Sequence, residues 1–551
     1  MSIPTTPSSP WDISAWRESL LAARTPRGHW EGELSSSALS TATAVAALTI
    51  VGGHERLVRD GLRWLAATQN DDGGFGDAAG CPSNISTTTL AWATLGMHDA
   101  PGTPEAEAWL AHRVGSITAS TVARAIQEVY GEDQTFAVPI LTHCALTGRF
   151  GWSHIPPLPF ELAALPHSWF RWAGLPVVSY ALPALIAIGQ AQHQHNPTPY
   201  RLSRAIRNAA RARTLAVLES IQPSSGGFLE ATPLTSFVTM SLAGSGLEHH
   251  PVTQSGIAFL RDSVRSDGSW PIDTNLSTWV TTLSINALGR SAFAPDERRY
   301  LRRWLLDQQY RTVHPYTQSA PGGWAWTDLP GGVPDGDDTS GALLALAELG
   351  NDDETRAAAT AGVSWLIDLQ NADGGIPTFC RGWGKLPFDE SSPDLTAHAL
   401  RAWRVWHMVD PRIDRAMERA VQYLVRCQRA DGAWVPLWFG NPWSPDHTNP
   451  VYGTARVLEC GGLLPDTVRR RGEKFLYSMQ QDDGRFGTIE ETALAVTATG
   501  DPHGARWLQL QAEMTPSPIG LYFAKLWYFE KLYPLIFTTG AFRRRLAVVK
   551  P

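Results

Sequence analysis

The chain has 551 residues, 43% apolar and 18% charged, which is ample for large cores and too apolar for disorder. A net charge of -7 with pI near 6.2 leaves no basic footprint for nucleic acid. Five cysteines without CxxC spacing argue against a zinc knuckle or disulfide framework, whereas 23 tryptophans are a surplus of cation-attracting aromatic faces.

Residues 1–11 are Pro/Ser-rich and lack the apolar stretch of a secretory leader. No run of about eighteen apolar residues suggests a spanning helix. A reducing, cytoplasmic setting is expected, in solution or against the inner face of a membrane.

From Gly28-His29-Trp30 onward the chain repeats itself, and a repeat decides the architecture before anything else does. An apolar helix ends in Gln, then come Asp/Gly, Gly and an aromatic, a polar loop, and a second helix. The pattern is clearest at Trp64-Leu65-Ala66-Ala67-Thr68-Gln69-Asn70-Asp71-Asp72-Gly73-Gly74-Phe75. It returns around Gln222, Asp267, Gly322, Gln370, Gln428 and Gln480, about eight copies spaced roughly forty to sixty residues apart. The reading of one copy is local: Gly ends the first helix in a left-handed cap, the aromatic packs back under the turn, and Gln bonds exposed backbone. Ser86-Thr87-Thr88-Thr89, Ser277-Thr278, Asp338-Thr339 and Asp394-Leu395-Thr396 then cap the second helix. Stacked helix pairs follow, and with this many copies closure into rings of paired helices. Strand signals are weak throughout.

Between the repeats lie two other stretches. Residues 160–190 are Trp/Pro/Leu-rich, including Trp169-Phe170-Arg171-Trp172. Arg201, Arg204, Arg207, Arg211 and Arg213 then mark a basic helix with an apolar side. It suits anionic lipid, a diphosphate or, first among them, an ordinary solvated face.

Pro334-Asp335-Gly336-Asp337-Asp338-Thr339, followed by the apolar run 342–346, organises the rest. Asp before an apolar-periodic segment marks a helix start, with Gly336 setting a tight turn. Three crowded carboxyls cannot all ionise easily, so one proton is retained, while the helix N-terminus favours the anion left when it departs. That describes an acid built to give a proton away. The chain ends with Tyr522, Phe523, Leu526, Trp527, Phe529, Tyr533 and Phe537, an apolar-aromatic helix and its exit, and then Arg543-Arg544-Arg545, read as a solvated tail.

Taken together, these residues resemble the squalene-hopene and oxidosqualene cyclase family. The Gln…Gly…aromatic copies match its "QW" repeats, and Asp335-Gly336-Asp337-Asp338-Thr339 matches its DxDDT acid motif. Pro321-Gly322-Gly323-Trp324-Ala325-Trp326, Asp394-Leu395-Thr396-Ala397-His398 and Val451-Tyr452-Gly453-Thr454 fall in the same order. The resemblance runs from about Trp11 to Tyr533. It implies an all-α fold of two α/α barrels: an N-terminal helix (1–22) joining the second barrel, an inserted first barrel (23–273), and a second barrel (274–551) carrying the acid. It places the substrate cavity between the barrels.

The activity implied is that of an isomerase of the class II terpene cyclase type: proton-initiated polycyclisation of squalene or a similar linear polyprenoid. By the same resemblance Asp337 is the proton donor, with Asp335 and Asp338 as carboxylate neighbours. A cationic His398 hydrogen-bonds it and strengthens it, and Asp394 and Tyr452 return the proton through water. Trp169, Trp279, Trp326, Phe379, Trp438, Tyr522 and Phe529 match cavity aromatics, which stabilise a carbocation without reacting with it. No metal or cofactor is implied, and magnesium enters only with a diphosphate substrate. The expected partner is the apolar polyprenoid, with no nucleic acid. Peripheral membrane contact and a homodimer both remain open.

The departures are specific. The segment of the family's membrane-binding helix is short and Arg-rich here, and Leu229-Glu230-Ala231-Thr232-Pro233-Leu234 replaces a Gln-Pro-Pro-Trp-like turn. A relay acid is absent near 40–43, Phe379 stands for a usual Tyr, and Leu526 replaces an aromatic. A smaller prenyl diphosphate cyclase is the alternative on the same fold. A protein prenyltransferase β-subunit needs Cys directly after Asp, and no Asp-Cys pair occurs. A non-catalytic helical scaffold would not require the three carboxyls.

Overall fold

Six of the repeats close on a glutamine. Gln69 Nε2 donates to Gly73 O in its own turn (2.7 Å) and to Gly102 O at the start of the next outer helix (2.9 Å). Gln222, Gln309, Gln370 and Gln428 make the same pair of bonds, and in Gln480 the second acceptor is Asp501 Oδ2. One side chain thus pins a turn to the following helix pair.

The aromatic finishes the unit. Trp270, Trp324 and Trp434 donate their indole N–H groups to carbonyls of the preceding outer helix at 2.7–2.8 Å. Their backbone N–H groups meet Thr41, Thr339 and Thr454 of an inner helix. The threonines read as caps therefore sit inside the helix as anchors. The N-caps fall earlier, at Asn84, Asp335 and Ser392.

The expected glycine cap is also displaced. The outer helix ends at an extended glutamine (Gln69, φ -61°, ψ 134°), and the glycine takes a positive φ in the turn beyond it. At Gly374 φ is +93°, and a Cβ would stand 2.4 Å from the Arg419 carbonyl oxygen. Backbone cannot yield as a side-chain tip can. Gly374→Ala is expected to cost about 3 kcal/mol, read as a lower denaturant midpoint. Gly336 is a different case: it has no positive φ, but a Cβ there would approach Pro377 O to 3.0 Å. Close approach, not a turn, requires glycine at that position.

The computed structural model describes residues 14–130, 134–166, 169, 181–378, 389–520 and 526–549. After α1 (Ser14–Ala22), the first barrel comprises α2 (Ala38–Val51), α3 (Glu55–Thr68), α4 (Ile85–Leu95), α5 (Thr103–Val114), α6 (Ala119–Tyr130), α7 (Gln134–Leu146), α8 (Leu182–His195), α9 (Arg201–Ile221), α10 (Thr232–Ala243) and α11 (Pro251–Asp262). The second comprises α12 (Ser277–Leu288), α13 (Pro295–Asp307), α14 (Gly336–Leu349), α15 (Asp353–Leu369), α16 (Pro393–Val405), α17 (Ile413–Cys427), α18 (Pro450–Leu458), α19 (Asp466–Met479), α20 (Ile489–Thr499), α21 (Pro502–Gln509) and α22 (Tyr533–Val549).

The inner helices form two closed rings. In the first, α2, α4, α7, α8 and α10 pack successively, and α10 returns to α2. In the second, α12, α14, α16, α18, α20 and α22 do the same, and α22 returns to α12. Inner helices are buried nearly all round, as α2 and α4 show, while outer ones such as α3 and α17 bury one stripe. The fold is the double α/α barrel. Helix α1 packs on α22, and Leu20, Trp30 and Leu34 join the core of the second ring. A two-residue strand, β1 (Ser36–Ser37), pairs antiparallel with β2 (Trp270–Pro271), Ser36 opposite Pro271, so the two ends of the first barrel meet.

Two surface expectations change. On α9, Arg201, Arg204 and Arg213 face solvent, while Arg207 is buried and paired with Glu161 at 3.1 Å. Tyr200, Leu202 and Ile206 beside them are exposed, as are Leu162 and Leu165. Arg543, read as part of a solvated tail, instead clamps α22 inward, donating to Asn286 O and Glu348 Oε1 at 2.6 Å each. Among the described residues no helix is long and apolar enough to cross a membrane.

Candidate active site

The inner helices of the second barrel carry the acid residues at their N-terminal turns. At α14 the cap is Asp335, extended at φ -136° and ψ 171°, whose Oδ1 accepts from the backbone N–H of Asp337 (2.9 Å) and Asp338 (2.8 Å). The loop before it is held by Trp324, whose carbonyl accepts from Asp335 N at 3.0 Å. Capping occupies the Asp335 carboxylate and leaves Asp337 free to turn toward α16. There Asp337 Oδ1 lies 2.5 Å from His398 Nδ1. Asp337 is half-buried, whereas Asp335 and Asp338 are buried, so it is the most accessible of the three.

Burial shapes the neighbours. It pushes Asp335 up to about 7 and Asp338 well above the ordinary carboxyl range, with the Asp335 and Asp337 charges adding to the rise at Asp338. Asp338 Oδ1 is buried without a hydrogen-bond partner. Both carboxyls therefore hold a proton more readily than a free carboxyl does. Opposing influences act on His398. Burial pulls it below its ordinary value, and although Asp337 pulls the other way, Arg456 and Arg401 reinforce the fall. Desolvation and the adjacent carboxylate thus act on the imidazole in opposite directions, and desolvation is the larger influence.

Asp394, in the first turn of α16, is buried and pushed up to about 6 by that burial, while a hydrogen bond from Ser392 Oγ opposes the rise. Tyr452 enters from α18, where Asn449 caps the helix by accepting Tyr452 N at 3.0 Å. Its ring centroid lies 4.7 Å from that of Phe439. The Asp337 and Asp394 charges both act on its phenol, whose pKa burial raises. Asp337, His398, Asp394 and Tyr452 therefore converge from three successive inner helices.

The aromatic residues divide. Trp279 on α12 is buried, edge-on to His398 at 6.1 Å between centroids, and donates to Tyr533 Oη at 2.9 Å. Trp326 is half-buried; its carbonyl accepts from Trp279 N, and its indole donates to Asp273 Oδ2, both at 3.0 Å. Trp438 is half-buried and bonded to Thr378 Oγ1. Phe529 is half-buried against Ala78, Cys81 and Trp527 at the seam of the barrels. Trp169, expected in the enclosed lining, is 61% exposed. Phe379 and Tyr522 lie outside the described residues.

Sequence reasoning missed several neighbours. Asp273 has an unpartnered Oδ1, and Tyr533 bonds the Tyr528 hydroxyl. Arg401, Arg456 and Glu459 lie behind the acid, and Arg456 falls four residues after Tyr452, a same-face spacing open to notice. Among the described residues no group of three or more His, Cys, Asp and Glu side chains is disposed to hold a metal ion.

Comparison with known proteins places this arrangement. Residues 13–188 match the squalene-hopene cyclase N-terminal domain and residues 276–503 the squalene-hopene cyclase C-terminal domain. The chain is 25% identical over 518 residues to a squalene–hopene cyclase of Alicyclobacillus acidocaldarius, covering 80% of this chain and 77% of that one. It is 25% identical over 537 residues to a copalyl diphosphate synthase of Streptomyces cyslabdanicus, covering 91% and 89%. Its fold matches ent-copalyl diphosphate synthase from Streptomyces platensis with a TM-score of 0.56 at 20% identity, over 97% and 98% of the two chains. With both family domains matched and the double barrel in place, the chain belongs to the squalene-hopene cyclase family and is a class II terpene cyclase.

Proposed function

We propose that Asp337 protonates a terminal double bond of squalene or a similar linear polyprenoid and so starts its polycyclisation. The observation that carries this reading is the Asp337–His398 contact of 2.5 Å, on the one carboxyl of the motif that is partly open. The proton leaves the Asp337 oxygen, a C–H bond forms on the alkene, and a tertiary cation remains. His398 Nδ1–H donates to the carboxylate left behind. Asp335 and Asp338 hold the helix start and a shared proton beside it. Trp279, Trp326 and Trp438 offer aromatic faces to the moving cation, each worth about 2 kcal/mol when desolvated. Asp394 and Tyr452 return a proton to Asp337 after each turnover. A neutral substrate fits the arginines near the site, since Arg401 and Arg456 are both paired with Glu459.

A second reading has one observation in its favour. The match to the copalyl diphosphate synthase covers 89% of that protein, against 77% of the squalene–hopene cyclase. A geranylgeranyl or farnesyl diphosphate would then be the substrate and would bring magnesium with it.

The discriminating assay incubates purified protein with squalene, geranylgeranyl diphosphate and farnesyl diphosphate, each with and without magnesium, and identifies products by gas chromatography–mass spectrometry. A polycyclic hydrocarbon or alcohol from squalene, formed equally in EDTA, is expected. A magnesium-dependent bicyclic diphosphate with squalene untouched would replace the first reading by the second.

A further inference from the structure

A carboxyl outside the acid motif stands on the seam between the barrels. Asp273 lies in the short link from β2 to α12 that carries the chain out of the first barrel. Its backbone is fixed from the first-barrel side. Ala231 pairs with Asp273 in an antiparallel bridge, Thr232 N donates to Ile272 O at 3.1 Å, and Thr274 N donates to Glu230 O at 3.2 Å. The turn that supplies these partners is unusual: Leu229 and Glu230 take positive φ values of 57° and 53°. Two successive residues with side chains keep that conformation only where their surroundings impose it. Glu230 is held accordingly, its Oε1 accepting from Gly331 N at 2.7 Å and from Ser225 Oγ at 2.6 Å.

The Asp273 side chain is fixed from the other barrel. Its Oδ2 accepts the indole N–H of Trp326, and the Trp326 carbonyl accepts from Trp279 N, both at 3.0 Å. Trp279 stands edge-on to His398, which contacts Asp337. A run of direct contacts thus leads from the initiating acid, across two aromatic residues, to another carboxyl. Asp273 and Trp326 are both half-buried. Among the described residues, Asp273 Oδ1 is shielded from solvent and has no hydrogen-bond partner. A buried carboxyl oxygen left unmet is costly, and its position calls for a reason. The titratable groups facing it are Glu230, from the turn before α10, and Tyr528, from the segment before α22. Burial, followed by the Glu230 charge, holds the Asp273 carboxyl above its ordinary range, which makes the ionised form a stronger base than a free carboxylate.

We propose that Asp273 is the catalytic base that ends the cyclisation: it takes a proton from the carbon next to the last cation, as that cation rests against Trp326, and so releases an alkene rather than an alcohol. The proposal rests on the reading of Asp337 as the proton donor. The C–H bond breaks, its electron pair forms the new C=C bond, and the proton passes to Asp273 Oδ1. Asp337 has lost one proton and Asp273 has gained one, so the reaction is an isomerisation, and exchange with water resets both carboxyls. The indole N–H of Trp326 holds Oδ2 and thereby fixes the orientation of Oδ1.

The test uses the full-length enzyme and whichever of squalene, geranylgeranyl diphosphate and farnesyl diphosphate it cyclises. In Asp273→Asn the amide oxygen still accepts from Trp326 but cannot take a proton. The alkene share of the cyclised products is expected to fall at least about tenfold in favour of alcohols, with substrate consumption within about threefold of the parent. In the parent the alkene share rises with pH as Asp273 ionises; in Asp273→Asn it is flat. Asp273→Glu, which keeps a carboxyl, restores most of the alkene. A side chain that only holds Trp326 would leave the alkene share and its pH dependence unchanged in Asp273→Asn, and that result overturns the proposal. So does an equal fall of every product. Trp326→Phe serves if Asp273→Asn does not fold. It removes the donor that favours the ionised carboxyl and is expected to move the midpoint of the alkene–pH curve upward by about one pH unit, and an unmoved midpoint overturns the proposal. A further measurement needs no substrate. N,N-dimethyldodecylammonium joins an apolar tail to a cation the size of a tertiary carbocation. In the Asp337→Asn background its Kd, by isothermal titration calorimetry, is expected to weaken about tenfold when Asp273→Asn is added. That weakening supports a carboxylate that meets a bound cation even if no polyprenoid is turned over, which would count against the cyclisation reading alone. Equal affinities sink the proposal even in a fully active enzyme.

Discussion

Asp337→Asn is expected to lower cyclisation by at least about a thousandfold while leaving the fold intact. An amide has no proton acidic enough for an alkene, and no other carboxyl of the motif can stand in. Asp335 is committed to the cap through bonds of 2.9 and 2.8 Å, and Asp338 is buried. The same cap explains why stability survives: the two N–H groups of the first turn remain satisfied without the Asp337 side chain. The melting temperature should stay level. Product yield by gas chromatography–mass spectrometry and thermal melts by circular dichroism check the two halves separately. Activity within tenfold of the parent would mean that the proton comes from elsewhere.

The start of α14 was open to reading because its signal is local. A run of Asp before Ala and Leu marks a helix N-terminus whatever the chain does elsewhere, and the observed helix begins at Gly336 with Asp335 as its cap. The repeats were legible for the same reason, since Gln, Gly and the aromatic act within one turn. Their exact jobs were not. The bond from Gln69 to Gly102 O needs the next helix pair in place, and the threonine anchors need the ring to close.

His398 marks the limit. It lies 61 positions from Asp337, and only the family resemblance joined them beforehand. The balance between its burial and the Asp337 carboxylate depends on what the neighbouring helices bring around it, which no single segment shows. Arg401 and Arg456 went unnoticed because an arginine in an amphipathic helix ordinarily faces water. Here both point along the helix faces that carry His398 and Tyr452, a fact that belongs to the packing of α16 on α18 and to no single helix.

Asp394→Asn is expected to make the protein more stable and less active, and the pH dependence separates the effects. Burial lifts the Asp394 carboxyl from an ordinary 3.8 to about 6, against the hydrogen bond from Ser392. Between about pH 4 and pH 6 the folded chain holds a proton that the unfolded chain has released. Stability therefore falls as pH rises through that window, and above it the full penalty of about 3 kcal/mol stands. Asparagine removes the titration and can still accept from Ser392. The variant should melt with the parent near pH 4 and above it at pH 8. Activity should move the other way. If Asp394 returns protons to Asp337, a first turnover by already protonated enzyme proceeds at the parental rate, and later turnovers slow by roughly ten- to a hundredfold. Rapid-quench measurement of the first turnover against the steady state checks this directly. Equal slowing of both phases would place Asp394 in the chemical step, and identical melts at pH 4 and pH 8 would show that its carboxyl carries no buried charge.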